Sequence, residues 1–323
     1  MRGAVSALTF LDWSVASMLC PSQITSEKLV AVMLLVYGDE SLDATQSRVC
    51  AVAGVIGTED DWKELETKWV ARNGSIPFHA TDCESDQGDY KATPHRENKA
   101  LYQDLAILLA ESGLGGYASS QDLAAQRKAF PSPYEPPLYY QGFLDVIEIM
   151  RNAAEDRGEI AEFTFDSRIE SQFNATEIYS YLLQSGLYSE EHLAKKLSFD
   201  AWRSNARIQV ADLLAYEAMK ELDNKVGPVK RNERASWTCL KSTGRFAIEV
   251  FGEEYFSNPN MQPDTLNVSL GFKQQEYLDW IDRKKVPHCY TSFLRFLFEM
   301  RDRMTDDQKQ RLDGIHRRGR ISL

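Results

Sequence analysis

Eight consecutive apolar residues, Leu29 to Val36, run without interruption into Tyr37-Gly38-Asp39-Glu40-Ser41. The run is too short for a membrane helix, which needs ~20 apolar residues. Its unbroken hydrophobicity suits a strand buried on both faces, so the chain has to build a layered domain around it. The acids at its tip stand between a low-dielectric core and open space, a setting that favours binding a cation.

The elements that follow have a readable order. Arg48 to Ile56 is a second apolar strand, joined to the first by the polar turn Ser41 to Ser47, and the two are expected to pair as an antiparallel hairpin. Thr58 is placed to cap a helix beginning Glu59-Asp60-Asp61, with Trp62, Leu65 and Trp69 on one face and Asn73-Gly74 as its stop. Ile76 to Ala80 reads as a short third strand delivering His79 and Asp82 to its exit. A helix is expected from about Glu97 to Ser112, a strand over Leu114 to Ser119, and a helix over Tyr139 to Glu155 after a proline-rich loop. Glu162 to Arg168 repeats the opening theme of a β-rich segment ending in an acid. Ile178 to Leu187 reads as helical, Lys196 to Trp202 as extended, and Ile208 to Leu222 as helical. Strands alternating with helices imply an α/β domain, a mixed sheet covered by helices.

Composition narrows the function. With 323 residues, 43% hydrophobic, the chain can bury a sizeable core. A formal net charge of -11 argues against tight non-specific binding to nucleic acid, although a local basic groove is compatible with it. Five scattered cysteines without a Cys-x-x-Cys pair indicate neither a disulfide framework nor a zinc knuckle, which makes a reducing cytoplasm the expected compartment. Residues 1–28 read as a loosely attached extension, because Asp12 interrupts an otherwise signal-like apolar stretch. Residues 29–224 hold the domain. Residues 225–323 are a mainly helical C-terminal extension, ending in Arg-rich amphipathic segments that suit docking on the domain or on a second copy of the chain, as a homodimer contact, better than docking on nucleic acid.

Three carboxylates stand where chemistry would need them. Asp39 and Asp166 are at strand tips, and Asp212 sits inside an apolar helix, on one face with Gln209 and Tyr216. Such acids suit hard cations, Mg²⁺ or Mn²⁺, and a pair of ions ~3.5–4 Å apart can activate water against a phosphodiester. Bland roles exist for two of them: Asp212 caps a loop or pairs with Arg168 or Arg207, and Asp166 makes a turn with Ser167. His79 can serve as proton donor or phosphate contact and Asp82 can complete a metal shell; alternatively His79 only bonds backbone. Glu40, adjacent to Asp39 in an extended chain, points to the opposite side. No serine-hydrolase constellation, phosphate-cradling glycine loop or dinucleotide fingerprint is present.

Tyr37-Gly38-Asp39-Glu40-Ser41, Phe78-His79-Ala80-Thr81-Asp82, Thr164-Phe165-Asp166-Ser167 and Gln209 to Tyr216 resemble, in this order, the successive motifs of the domain-of-unknown-function 3800 family. The resemblance covers about Leu34 to Leu222. It implies a ribonuclease H-like fold, with a central five-stranded mixed sheet, and an acidic metal site; many members of that family sit among prophage and mobile-element genes. Leu42 stands where the family commonly has Gly. Ribonuclease H-like enzymes often carry their second acid on the strand beside the first. Here the strand expected in that place, Leu114 to Ser119, carries none, which puts Asp166 one strand further out. The expected function is a divalent-metal-dependent nuclease or phosphodiesterase. A non-catalytic ribonuclease H-like interaction protein of a prophage or mobile element is the alternative, and hydrolysis of a small phosphate ester a third class.

Overall fold

The computed structural model describes residues 33–129, 139–167, 175–176, 178–180, 183, 192–257, 274–285 and 290–310. The readings made of residues 1–28, of the first half of the opening apolar run, of the proline-rich loop, of Arg168, of most of 178–187 and of the arginines beyond 310 lie outside the described residues. β1 (Met33–Leu42) and β2 (Val49–Gly57) form the expected antiparallel hairpin, with Leu35 opposite Gly57 and Leu42 opposite Cys50. Asp43 holds the turn together. Its Oδ1 accepts the backbone N–H groups of Ser47, Arg48 and Val49 at 3.0, 2.8 and 3.0 Å; against the opposing effect of burial, the Thr45 hydroxyl and then the Val49 and Arg48 N–H groups hold the carboxyl well below its ordinary range.

Two differences from the sequence reading concern the sheet. β3 (Gly115–Asp122) pairs antiparallel with the far side of β2, while β4 (Ile160–Asp166) lies parallel to β1 on its other edge. β5 (Ser198–Asp200) is parallel to β4, and β6 (Phe246–Phe251) is parallel to β3. The sheet therefore has six strands in the order β5-β4-β1-β2-β3-β6, not five. Asp166 lies on the strand next to Asp39, not one strand further out. A parallel neighbour requires a long crossover, and the stretch between β3 and β4 supplies it, returning the chain past β2 to the free edge of β1. The sixth strand comes from beyond Asn224, so part of the segment read as a C-terminal extension completes the sheet.

Helices cover both faces of the sheet. Those with described bounds are, in chain order, α1 (Glu59–Asn73), α2 (Ala80–Ser85), α3 (His95–Glu111), α4 (Leu123–Ala129), α5 (Tyr140–Glu155), α6 (Ala206–Val226), α7 (Ala235–Ser242), α8 (Glu253–Phe256), α9 (Gln274–Lys284) and α10 (Tyr290–Glu299). Thr58 and Asp61 cap α1 reciprocally: Thr58 Oγ1 accepts the Asp61 N–H at 3.2 Å and Asp61 Oδ2 accepts the Thr58 N–H at 3.1 Å. Trp62, Leu65 and Trp69 of α1 and Leu213 and Leu214 of α6 share one core with Val49, Ala51, Ala53 and Val55 of β2. Phe143, Val146, Ile147 and Met150 of α5 form the other with Leu34, Val36, Val52, Phe163 and Phe165. α9 and α10 pack on each other through Tyr277, Trp280 and Phe296. Among the described residues no helix is long and apolar enough to cross a membrane.

Residues 76–80 are not a strand. The Phe78 N–H donates to Gln209 Oε1 at 3.1 Å and the Ala80 N–H to Asp212 Oδ2 at 2.6 Å, so side chains of α6 satisfy the backbone that a sheet neighbour would otherwise satisfy. Gly38 is also required by packing: a Cβ there would lie 2.3 Å from the Phe165 ring. The missing side chain at position 38 leaves the space that the Phe165 ring occupies, one residue before the acids of β1 and β4.

Candidate functional site

Strand alternation decides which acids meet. Leu35 and Tyr37 pack toward the layer that contains α6, so Asp39, two residues on, continues on that face. Phe163 and Phe165 pack toward α5, which leaves Thr164 and Asp166 on the α6 face of β4. Gly38 pairs with Phe165, and the next residue on each strand is an aspartate, on neighbours separated by about 4.8 Å. Asp212 of α6 faces them from above. All three line one cleft of about 460 Å³ beyond the carboxyl ends of β1 and β4, together with His79 and Trp202.

Electrostatics confirms that the three carboxylates feel one another. Burial pushes Asp39 well above the ordinary carboxyl range, and the charges of Asp212, Glu40 and Asp166 push the same way. Asp212 is raised to about 6, first by burial; the nearby His79 charge and the Ala80 N–H oppose the rise, while Asp166 and Asp82 add to it. Every pair within the trio is thus mutually repulsive. Each has one oxygen occupied by a backbone donor: Asp39 Oδ1 by Glu40 N–H at 2.8 Å, Asp166 Oδ1 by Trp202 N–H at 3.1 Å, and Asp212 Oδ2 by Ala80 N–H at 2.6 Å. Among the described residues the second oxygen of each accepts nothing, and no lysine or arginine pairs with any of them. Arg207, a sequence-level partner for Asp212, is instead tied to Glu59 at 2.7 Å, Glu66 at 3.1 Å and the Tyr37 hydroxyl at 3.2 Å.

These donors fit a hard divalent cation in chemistry, since all are carboxylate oxygens with no lysine or arginine partner among the described residues, His79 alone offsetting the charge of Asp212. They do not form a closed cage. Among the described residues no group of three or more His, Cys, Asp or Glu side chains is gathered tightly enough to hold a metal ion.

His79 lies on the cleft wall just before α2, stacked on the Trp202 ring with centroids 5.0 Å apart and planes at 26°. Its Nδ1 is 3.0 Å from Asp82 Oδ2, an ion-pair distance without hydrogen-bond alignment. Asp82 sits behind the imidazole, in the first turn of α2, and does not line the cleft with the other acids. Glu40 reaches the cleft margin from the opposite face of β1, where its charge and that of Asp39 both raise the Tyr139 hydroxyl, after burial.

Gln209 holds the wall in place. Its Oε1 accepts from Phe78 N–H at 3.1 Å and Trp69 Nε1–H at 3.3 Å, and its Nε2 donates to the Trp202 carbonyl at 2.9 Å. One buried amide thus pins the His79 segment and the Trp202 turn to the same helix. The sequence places Gln209 on the Asp212 face but gives it no role. It gives none to Trp202 or Arg203 either; the available signal is an aromatic and a cation lying between an extended acid, Asp200, and the helix cap Asn205. No family model matches the chain, and none of the curated proteins does.

Proposed function

We propose that the cleft binds Mg²⁺ or Mn²⁺ on Asp39, Asp166 and Asp212 and hydrolyses phosphodiester bonds, as a nuclease of ribonuclease H-like type. One observation carries the reading: three mutually repelling carboxylates on one cleft, each with an unengaged oxygen, and no lysine or arginine partner among the described residues. Such an arrangement costs stability and is relieved by a cation. When bound, a divalent cation stabilises charge on a phosphoryl oxygen and activates water as nucleophile. The three aspartates hold and orient it. His79, with Nδ1 toward Asp82, keeps Nε2 for the substrate and is the group placed to give a proton to the leaving oxygen.

The topology supports the same reading. β3-β2-β1-β4-β5, with β2 alone running against the others, is a mixed sheet of the kind the ribonuclease H-like reading expects, and β6 extends its edge. The resemblance to the domain-of-unknown-function 3800 family rests on the residues that meet at this cleft. The rival, a non-catalytic interaction protein, is favoured by the absence of a preformed cage among the described residues. Incubation with single- and double-stranded DNA and RNA in Mn²⁺ separates the two. Cleavage by the wild type, lost in Asp39→Asn with the fold retained, supports the nuclease; equal cleavage by the variant, or none by either, removes it.

A further inference from the structure

Trp202 is a large aromatic side chain left half-buried on the wall of an otherwise acidic cleft. Its backbone is fixed at both ends of the residue, N–H to Asp166 Oδ1 and carbonyl to Gln209 Nε2. One side of the ring is backed by His79 at 5.0 Å. The Arg203 guanidinium lies over the ring, 4.7 Å from its centroid, and is only loosely held there. Its one ion pair among the described residues is with Asp89 at 3.2 Å, both side chains being exposed, and exposed pairs contribute little.

The charges around this ring limit what it can receive. Arg203 is the only arginine or lysine among the described residues lining the cleft, whereas five of those residues are Asp or Glu. Duplex recognition depends on several basic side chains set along two phosphate backbones, with the bases stacked out of reach. Among the described residues the cleft offers one arginine, the Trp202 ring backed by His79, and a volume in the range of single-ligand pockets. An unpaired base with its own phosphate fits that set of groups: a base has a π-face that stacks on an aromatic ring, and the flanking phosphate takes the guanidinium.

We infer that Trp202 is a stacking platform for an unpaired nucleobase, with Arg203 moving from the ring to the adjacent phosphate, so that the cleft takes single-stranded nucleic acid in preference to duplex. The inference rests on the metal-dependent reading for the bond that is cleaved, and on the Trp202 geometry for the base.

The test is equilibrium binding, by fluorescence anisotropy in Ca²⁺ and again in EDTA, of labelled oligothymidylate of about a dozen nucleotides. An abasic strand of the same length and the matching duplex are the comparisons. The wild type should bind oligothymidylate roughly 10-fold or more tighter than the abasic strand, and Trp202→Ala should lose about 5- to 150-fold of that affinity, the range of one base-aromatic stack. Trp202→Phe keeps an aromatic face and should retain most of the preference, which separates stacking from a folding defect. Equal binding of thymidylate and abasic strands, tighter binding of duplex, an unaffected Trp202→Ala, or no binding of any strand each overturns the inference. A base preference that persists in EDTA, in a protein that takes up no Mn²⁺, upholds the platform while removing the metal-dependent reading. Mn²⁺ uptake without base preference does the reverse.

Discussion

Replacing Asp212 by Asn should make the protein more stable, although it removes a residue of the proposed site. Asp212 is 4% exposed, has no lysine or arginine partner among the described residues and is raised from 3.8 to about 6, chiefly by burial and against the opposing charge of His79. A carboxyl raised in the folded state binds its proton more tightly there than in the unfolded chain. Between about pH 4 and 6 the native state therefore holds more protons, and stability falls as pH rises through that window, levelling off above it. A rise from 3.8 to about 6, at about 1.4 kcal/mol per pH unit, corresponds to about 3 kcal/mol carried by the folded protein at neutral pH. Asn keeps an oxygen for the Ala80 N–H but is itself a desolvated polar group, so the net gain should be about 1–3 kcal/mol. At roughly 2–4 °C per kcal/mol, the melting temperature should rise by about 2–12 °C at about pH 8. Scanning calorimetry of wild type and Asp212→Asn, with chelator present, at about pH 8 and about pH 4 provides the measurement. The gain should be present at the higher pH and vanish at the lower, where the native carboxyl is already protonated. A variant that is less stable by the same amount at both values would show Asp212 to be a structural acceptor, and the reasoning about stored repulsion would be refuted.

Other outcomes follow from the same geometry. Gln209→Leu strips partners from Phe78 N–H, Trp69 Nε1–H and the Trp202 carbonyl; a loss of about 2–4 kcal/mol in urea unfolding is expected, with faster proteolysis in the stretches around His79 and Trp202. Gly38→Ala forces a methyl against the Phe165 ring and should cost about 1–3 kcal/mol, partly restored by Phe165→Leu; the same cost in the Phe165→Leu background would show the strain to lie elsewhere. If cleavage is observed, His79→Ala should lower kcat by about 10²–10⁴-fold with the melting temperature nearly unchanged, and a change confined to KM would place His79 in binding rather than proton transfer.

Local elements were legible in the sequence because their causes are local. The apolar run into Tyr37, the polar turn Ser41 to Ser47 and the Thr58 cap each depend on neighbours within a few residues, and the structure shows the cap, the hairpin turn and, from Met33 on, the strand. The common face of Asp39 and Asp166 depends on something the linear pattern does not contain, a crossover that brings β4 beside β1. Residues 76–80 mimic a strand because Ile76, Phe78 and Ala80 alternate; the partners that decide otherwise, Gln209 and Asp212, lie more than 100 residues away in sequence. β6 was hidden in the same way: six residues past a polar stretch carry little signal until Gly116 to Gln121 offer them an edge. Trp202 looked like the end of an extended segment. Its place on the cleft follows from two hydrogen bonds, to Asp166 and Gln209, that only the folded chain brings together.

The central claim is that Asp39, Asp166 and Asp212 form a divalent-cation site. Titration of the intact protein with Mn²⁺, following the free ion by electron paramagnetic resonance, tests it most directly. Saturable binding is expected, lost in both Asp39→Asn and Asp212→Asn, and at about 100 times the dissociation constant it should stabilise the fold by about 2.7 kcal/mol. A protein that leaves the free Mn²⁺ signal unchanged, or variants that bind it as well as the wild type, would contradict the account.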